Sequence, residues 1–177
     1  MTFNQPPSSN DPLWQQWGHA ARQPAIHHAL TSLYQQLDEQ VAARGPTCWL
    51  SGKCCKFQEY QHHLYVTGLE IAWFLQQPQL ASAEASHLGR QNDSAGTCPH
   101  QVNNLCSAHA IRPLGCRIFF CQQEAQHWQH PLYEQFLEQL RALHDQHHLT
   151  YRYLEWLGAL ANAGPALART GRPTGDR

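Results

Sequence analysis

The sequence is poor in charge and has no excess of either sign. Asp, Glu, Lys and Arg make up only 14% of the chain, with 12 basic against 13 acidic residues and a formal net charge of -1 with His neutral. That balance gives no electrostatic footprint for nucleic acid, so nucleic acid is not an expected partner. No apolar run is long enough to span a bilayer, so no membrane partner is expected either. Residues Met1 to Asp11 lack the basic and apolar regions of a secretory leader. The expected compartment is therefore the reducing cytoplasm. The common catalytic signatures are missing too: there is no phosphate loop, nucleophile elbow or paired-carboxylate motif. Neither zinc-finger pairs nor a ferredoxin cysteine run occurs in standard form.

What the chain does have is 7 Cys and 13 His. In a reducing compartment, clustered cysteines are metal ligands or catalytic thiols more often than structural disulfides. An odd number also rules out complete internal pairing. Many of the histidines would charge near pH 6, swinging the net charge positive.

Hydrophobic residues make up 42%, enough for a core in a chain of 177 residues. The expected organisation is a single helical cysteine-cluster domain over residues 12–168, with loose tails at 1–11 and 169–177. The expected fold class is mainly α: a small helical scaffold with irregular cysteine-rich loops forming a metal site. Ile26, Ala29, Leu30, Leu33, Leu37 and Val41 recur at helical spacing and predict a helix from Pro24 to Ala43, closed by Gly45-Pro46. Phe57 to Val66 reads as partly extended. Thr67 and Glu70 form a capping box that opens the next helix, with Val66 and Ile71 as its hydrophobic staple. A short helix is expected from Gln79 to about Arg90, and a loop from Asn92 to Thr97. Pro131 is expected as the first residue of a later helix, and a last helix is expected from about Thr150 to Ala163, closed by Gly164-Pro165. Trp49, Trp73, Trp128 and Trp156 read as core or shielding residues. His144, His147 and His148 read as solvated groups at a helix C-terminus, where imidazolium is favoured.

The chemistry concentrates in two runs. The first is Cys48-Trp-Leu-Ser-Gly-Lys-Cys54-Cys55-Lys56, where Gly52 permits a sharp turn back toward Cys48. The second carries Cys98, Cys106, Cys116 and Cys121, interrupted by Pro99, Pro113 and Gly115, which block a long helix and let the chain wrap a centre. Zinc and iron both favour soft thiolate ligands. Seven cysteines, with one doublet and Pro/Gly-broken loops, are hard to explain as small buried hydrophobes alone. A four-thiolate zinc site and an oxidised four-iron cluster each carry a formal charge of about -2. Lys53, Lys56, Arg112 and Arg117 lie within the runs as candidate partners for that charge, with Arg112 and Arg117 as donors to the sulfurs. Cys106 and His109, three apart, would share a face of a helical turn. His109 and His63 are the candidate imidazole ligands.

The Cys54-Cys55 doublet after Cys48, followed by Cys98-Pro99, Cys106, Arg112-Pro113, Cys116-Arg117 and Phe119, resembles the YkgJ-type cysteine-cluster family of zinc- or iron-chelating domains. The resemblance covers roughly Cys48 to Cys121 and implies metal binding. The family's first motif is CxxCxxCC, and here its second position is Ser51. Cys121, His109 or His63 would then complete the set, or the site has one thiolate fewer. The expected cofactor is an iron–sulfur cluster or zinc. The number of cysteines and the interspersed arginines favour the cluster. Two other readings remain: a metal-dependent enzyme with an open coordination position at Ser51, and a redox switch whose thiols oxidise on metal loss. A protein partner of unspecified kind is compatible with each.

Overall fold

The computed structural model describes residues 5–80 and 96–170. The fold is mainly α, with two small two-stranded sheets. Helix α1 (Pro12–Ala21) opens with Asp11, whose carboxylate accepts from Leu13 N at 3.0 Å, and with Pro12 in the first turn. Leu13, Trp14, Trp17, Ala20 and Ala21 recur at helical spacing, although the sequence reading assigns no helix here. Trp14 and Trp17 are both fully buried and meet edge to face at 5.2 Å. Their indole N–H groups donate to Ser8 O and Thr150 O at 3.0 and 2.8 Å. Ser8 is thereby tied to α1.

Helix α2 (Pro24–Arg44) buries the expected stripe, including Ile26, Leu30, Leu33, Leu37 and Val41, and ends at left-handed Gly45. Strand β1 (Tyr65–Thr67) leads directly into α3 (Gly68–Phe74) through the Thr67–Glu70 capping box, as expected. Val66 and Ile71 are fully buried. α3 lies so close to α1 that a Cβ on Gly68 would sit 2.3 Å from the Trp17 ring. The helix expected from Gln79 to Arg90 lies outside the described residues beyond Leu80, as does most of the loop expected at 92–97.

Strands β2 (Gln101–Val102) and β3 (Leu105–Cys106) form a hairpin, followed by α4 (Leu114–Ile118). Helix α5 runs from Gln126 to Gln146, so Pro131 is inside it rather than at its start. His127, whose carbonyl loses its helical donor, is exposed, so water can replace the missing bond. Apolar spacing also continues upstream through Trp128.

The last helix begins later and ends later than expected. Residues Tyr153–Glu155 form β4, paired antiparallel to β1 with Val66 opposite Leu154. Helix α6 (Trp156–Thr170) follows, started by the Glu155 carboxylate, which accepts from Leu157 N and Gly158 N at 3.1 and 2.8 Å. It continues through Gly164-Pro165, because the buried stripe of Ala159, Ala163 and Ala166 extends past them. The proline leaves the carbonyl of exposed Ala161 to solvent. Among the described residues no helix is long and apolar enough to cross a membrane.

Two side-chain expectations are overturned. Trp73 and Trp156 are core residues, but Trp49 is 63% exposed. His144 is fully buried against Tyr151, and neither ring nitrogen makes a hydrogen bond. Burial drops its pKa from 6.5 to about 4, partly opposed by the nearby carbonyls of Leu149 and Thr150 and by Asp145. It is a neutral core residue, not a solvated cap.

The unfolded state gains a proton at His144 below its ordinary pKa while the folded state does not. Stability is thus fully present above 6.5 and is lost as pH falls toward about 4. The loss approaches about 3 kcal/mol at roughly 1.4 kcal/mol per unit. Glu70 acts in the opposite sense, because burial raises its carboxyl pKa. Replacing His144 with Leu is expected to remove the histidine share of the acid loss. Urea unfolding of both proteins across this range checks it.

Candidate metal centre

The first cysteine loop depends on Gly52. Its φ is +69°, and a Cβ there would meet Gln101 Nε2 at 2.5 Å and Asn104 Cα at 3.0 Å. Gly52 O accepts from Gln101 Nε2 at 2.7 Å and from Cys55 N at 3.1 Å. Lys53–Cys55 then form one tight helical turn that carries the doublet. Ser51 serves that turn: its Oγ accepts from Lys53 N at 3.5 Å.

The second run starts as a knuckle. Asn103 and Asn104 both have positive φ, the primed-turn conformation that suits a two-residue hairpin loop. The hairpin pairs Gln101 with Cys106 and so folds Cys106 back toward Cys98. A short turn at His109–Ile111 follows. Cys106 and His109 therefore belong to different elements and do not share a helical face.

Cys116 is on α4, which two buried charged side chains hold in place. Glu70 accepts from Thr67 N at 2.8 Å, Leu114 N at 2.9 Å and Tyr34 OH at 3.0 Å, linking α2, α3 and α4. Arg117 donates to Arg112 O at 2.6 Å, Ala110 O at 3.0 Å and Asp38 Oδ2 at 2.5 Å, with its guanidinium over the Tyr34 ring at 4.4 Å. These partners account for Arg117. It shapes the 110–112 segment.

Backbone pairing brings the two runs together. Cys98 N donates to Cys55 O at 2.7 Å, Gln58 N donates to Gly96 O at 3.1 Å, and Lys56 bridges Thr97. Thr47 N donates to Gln122 Oε1 at 2.9 Å at the other end. Residues 48–55 and 98–121 thus enclose one open cavity of about 680 Å³. It is lined by Cys48, Cys54, Cys55, Cys98, Cys106 and Cys116, and by His62, His63, His100, His109 and His130. Cys121 and Ser51 are not among its lining residues, and no carboxylate lines it. Its far wall is aromatic, with Tyr65, Tyr133 and Tyr153.

The sulfurs interact. Cys54 Sγ and Cys55 Sγ are 4.0 Å apart. A hydrogen bond from the Cys55 thiol is the main cause that lowers Cys54 to about 6, assisted by backbone N–H and Arg112 against burial. Cys98 is lowered likewise, first by Cys55 and then by the Trp156 indole N–H at 3.4 Å from its sulfur. Cys55, the shared donor, is raised. Burial raises Cys106 and Cys116, and both feel the charge of Cys54 and Cys98. Five thiols from the two runs therefore form one electrostatic unit. Among the described residues, no three His, Cys, Asp or Glu side chains are already arranged around a single ion position.

Arg112 lines the cavity, and its Nε is buried without a hydrogen-bond partner. A buried guanidinium N–H left unpaired calls for an anionic acceptor. The two lysines are engaged elsewhere: Lys53 lies over Tyr60 and Lys56 pairs with Glu59. His63 and His109 line the cavity, as does His62, whose Nε2 lies 3.3 Å from Cys54 O. His100 was not singled out from the sequence. Burial lowers it to about 4, so it presents a neutral imidazole, the form that binds metals. Its place two residues after Cys98 was the available signal.

The chain matches no protein-family model, no curated protein and no solved structure.

Arg117→Lys would keep the charge but lose the fork that reaches two carbonyls and Asp38. It is expected to lower the unfolding free energy by about 2–3 kcal/mol, measured by chemical denaturation.

Proposed function

We propose that this protein holds an iron–sulfur cluster, or zinc, through Cys54, Cys55, Cys98, Cys106 and Cys116. The observation that carries the reading is the gathering of these five thiols, with exposed Cys48 as a sixth, around one cavity with the unpaired Nε of Arg112. The donor chemistry is soft, with sulfur and neutral imidazole and no carboxylate among the lining residues. That selects zinc or iron over calcium or magnesium. A bound anionic centre would supply the missing acceptor for Arg112, and the buried indole N–H of Trp156 would donate to a ligating sulfur. The YkgJ-type pattern of residues points the same way. The cavity is wider than a single ion, and its thiols exceed four, which favours the cluster over zinc.

In this role Arg112 and Trp156 stabilise negative charge on sulfur, and the Phe57, Phe74 and Phe119 side chains limit water. Serine at the motif's second position does not remove a cavity ligand, because Ser51 supports the turn instead. An enzymatic use of the same centre is favoured by one observation: the open aromatic half of the cavity leaves space for a small molecule.

Protein purified without oxygen is expected to contain stoichiometric iron and sulfide with broad visible absorption, or stoichiometric zinc without colour. Ser in place of Cys54, Cys98, Cys106 or Cys116 is expected to abolish retention, whereas Cys121→Ser retains it. Arg112→Gln is expected to weaken metal retention about 10- to 100-fold. Protein free of zinc and iron, with every thiol titrating, would remove the proposal.

A further inference from the structure

Trp49, Leu50, Tyr60, Leu105 and Phe119 are the exposed large hydrophobic residues among the described residues, with exposures of 63, 63, 42, 52 and 46%. All five belong to or flank the cysteine runs. Leu50, Leu105 and Phe119 also line the cavity. Trp49 is next to Cys48, and Tyr60 lies under Lys53 of the first run. Cys48 and Cys121 are themselves exposed, and each adjoins one end of the Thr47–Gln122 hydrogen bond. Three of the exposed apolar side chains thus lie on the cavity wall, with the exposed thiol of Cys48 beside them and that of Cys121 across the Thr47–Gln122 bond. Single exposed hydrophobics are ordinary, but a group of them marks a surface that is covered in use.

We propose that this rim is the interface of a two-fold dimer of the chain. Area supports a second copy. With roughly 150–250 Å² for a whole aromatic side chain, the exposed parts of the five residues amount to on the order of 500 Å². A two-fold axis would bury that patch twice, about 1,000 Å² before its polar surroundings are added, which reaches the lower bound for a biological interface. Charge does not oppose self-association. The rim has both signs, in Lys53 and in the Lys56–Glu59 pair, and the whole chain is close to neutral. An isologous contact sets each patch against its own copy and covers Cys48 and Cys121 of both chains. The inference does not depend on what the cavity holds.

Sedimentation equilibrium over a wide concentration range, with Trp49→Glu and Leu105→Glu as separate variants, tests it. Near-UV circular dichroism verifies that each variant keeps the fold. Wild-type protein is expected to be dimeric, and each variant to raise the dissociation constant about thirtyfold or more, the size of a central interface contact. Alkylation followed by mass spectrometry is expected to label Cys48 and Cys121 several-fold faster in both variants. A wild-type monomer at every concentration, or a dimer unchanged in both variants, would overturn the proposal. Metal content is measured on the same samples, so loss of the dimer is distinguished from loss of the centre.

Discussion

Glu70 is a carboxylate without access to water, and such a group is tolerable only when its oxygens are filled with donors. Here the donors come from three helices: its own capping residue Thr67, Tyr34 of α2 and the first amide of α4. The capping box that starts α3 is therefore also the joint that fixes α4, and with it Cys116. Arg117, one residue further on, completes the joint by binding Asp38 of α2 and the carbonyls of residues 110 and 112. The helical scaffold and the second cysteine run are held by the same polar network. Removing either charge leaves the other partners buried and unpaired.

The first run is held differently. Gly52 and the Asn103–Asn104 turn allow two backbones to approach closely, and the 55–58 and 96–98 segments pair across the gap. One cysteine set is thus fixed by the core and the other by backbone pairing at the rim. The site forms where the two meet, in a wall of sulfur and imidazole without carboxylate.

Much of this was legible in the sequence. The mainly α class, the stripe of α2 and the Thr67–Glu70 box follow from spacing and local chemistry. The errors have identifiable causes. Pro131 and Gly164-Pro165 read as boundaries, yet in each helix the buried apolar stripe runs past them, and tertiary burial outweighs one lost hydrogen bond. The 153–155 strand is too short to register as an alternation, and its partner β1 is 88 positions away in the Val66–Leu154 pair. His144 looked like a cap because its burial comes from Tyr151 and the α5–β4 connection. Arg117 lies between two cysteines in sequence, but its fork is claimed by carbonyls and Asp38, leaving Arg112 as the cation that faces the cavity.

The central claim is that sulfur from both runs contacts a metal. X-ray absorption at the metal edge of anaerobically purified protein tests it most directly. The account predicts thiolate sulfur scatterers at about 2.3 Å for zinc, or sulfur and iron scatterers for a cluster. A bound metal surrounded only by nitrogen and oxygen would contradict it.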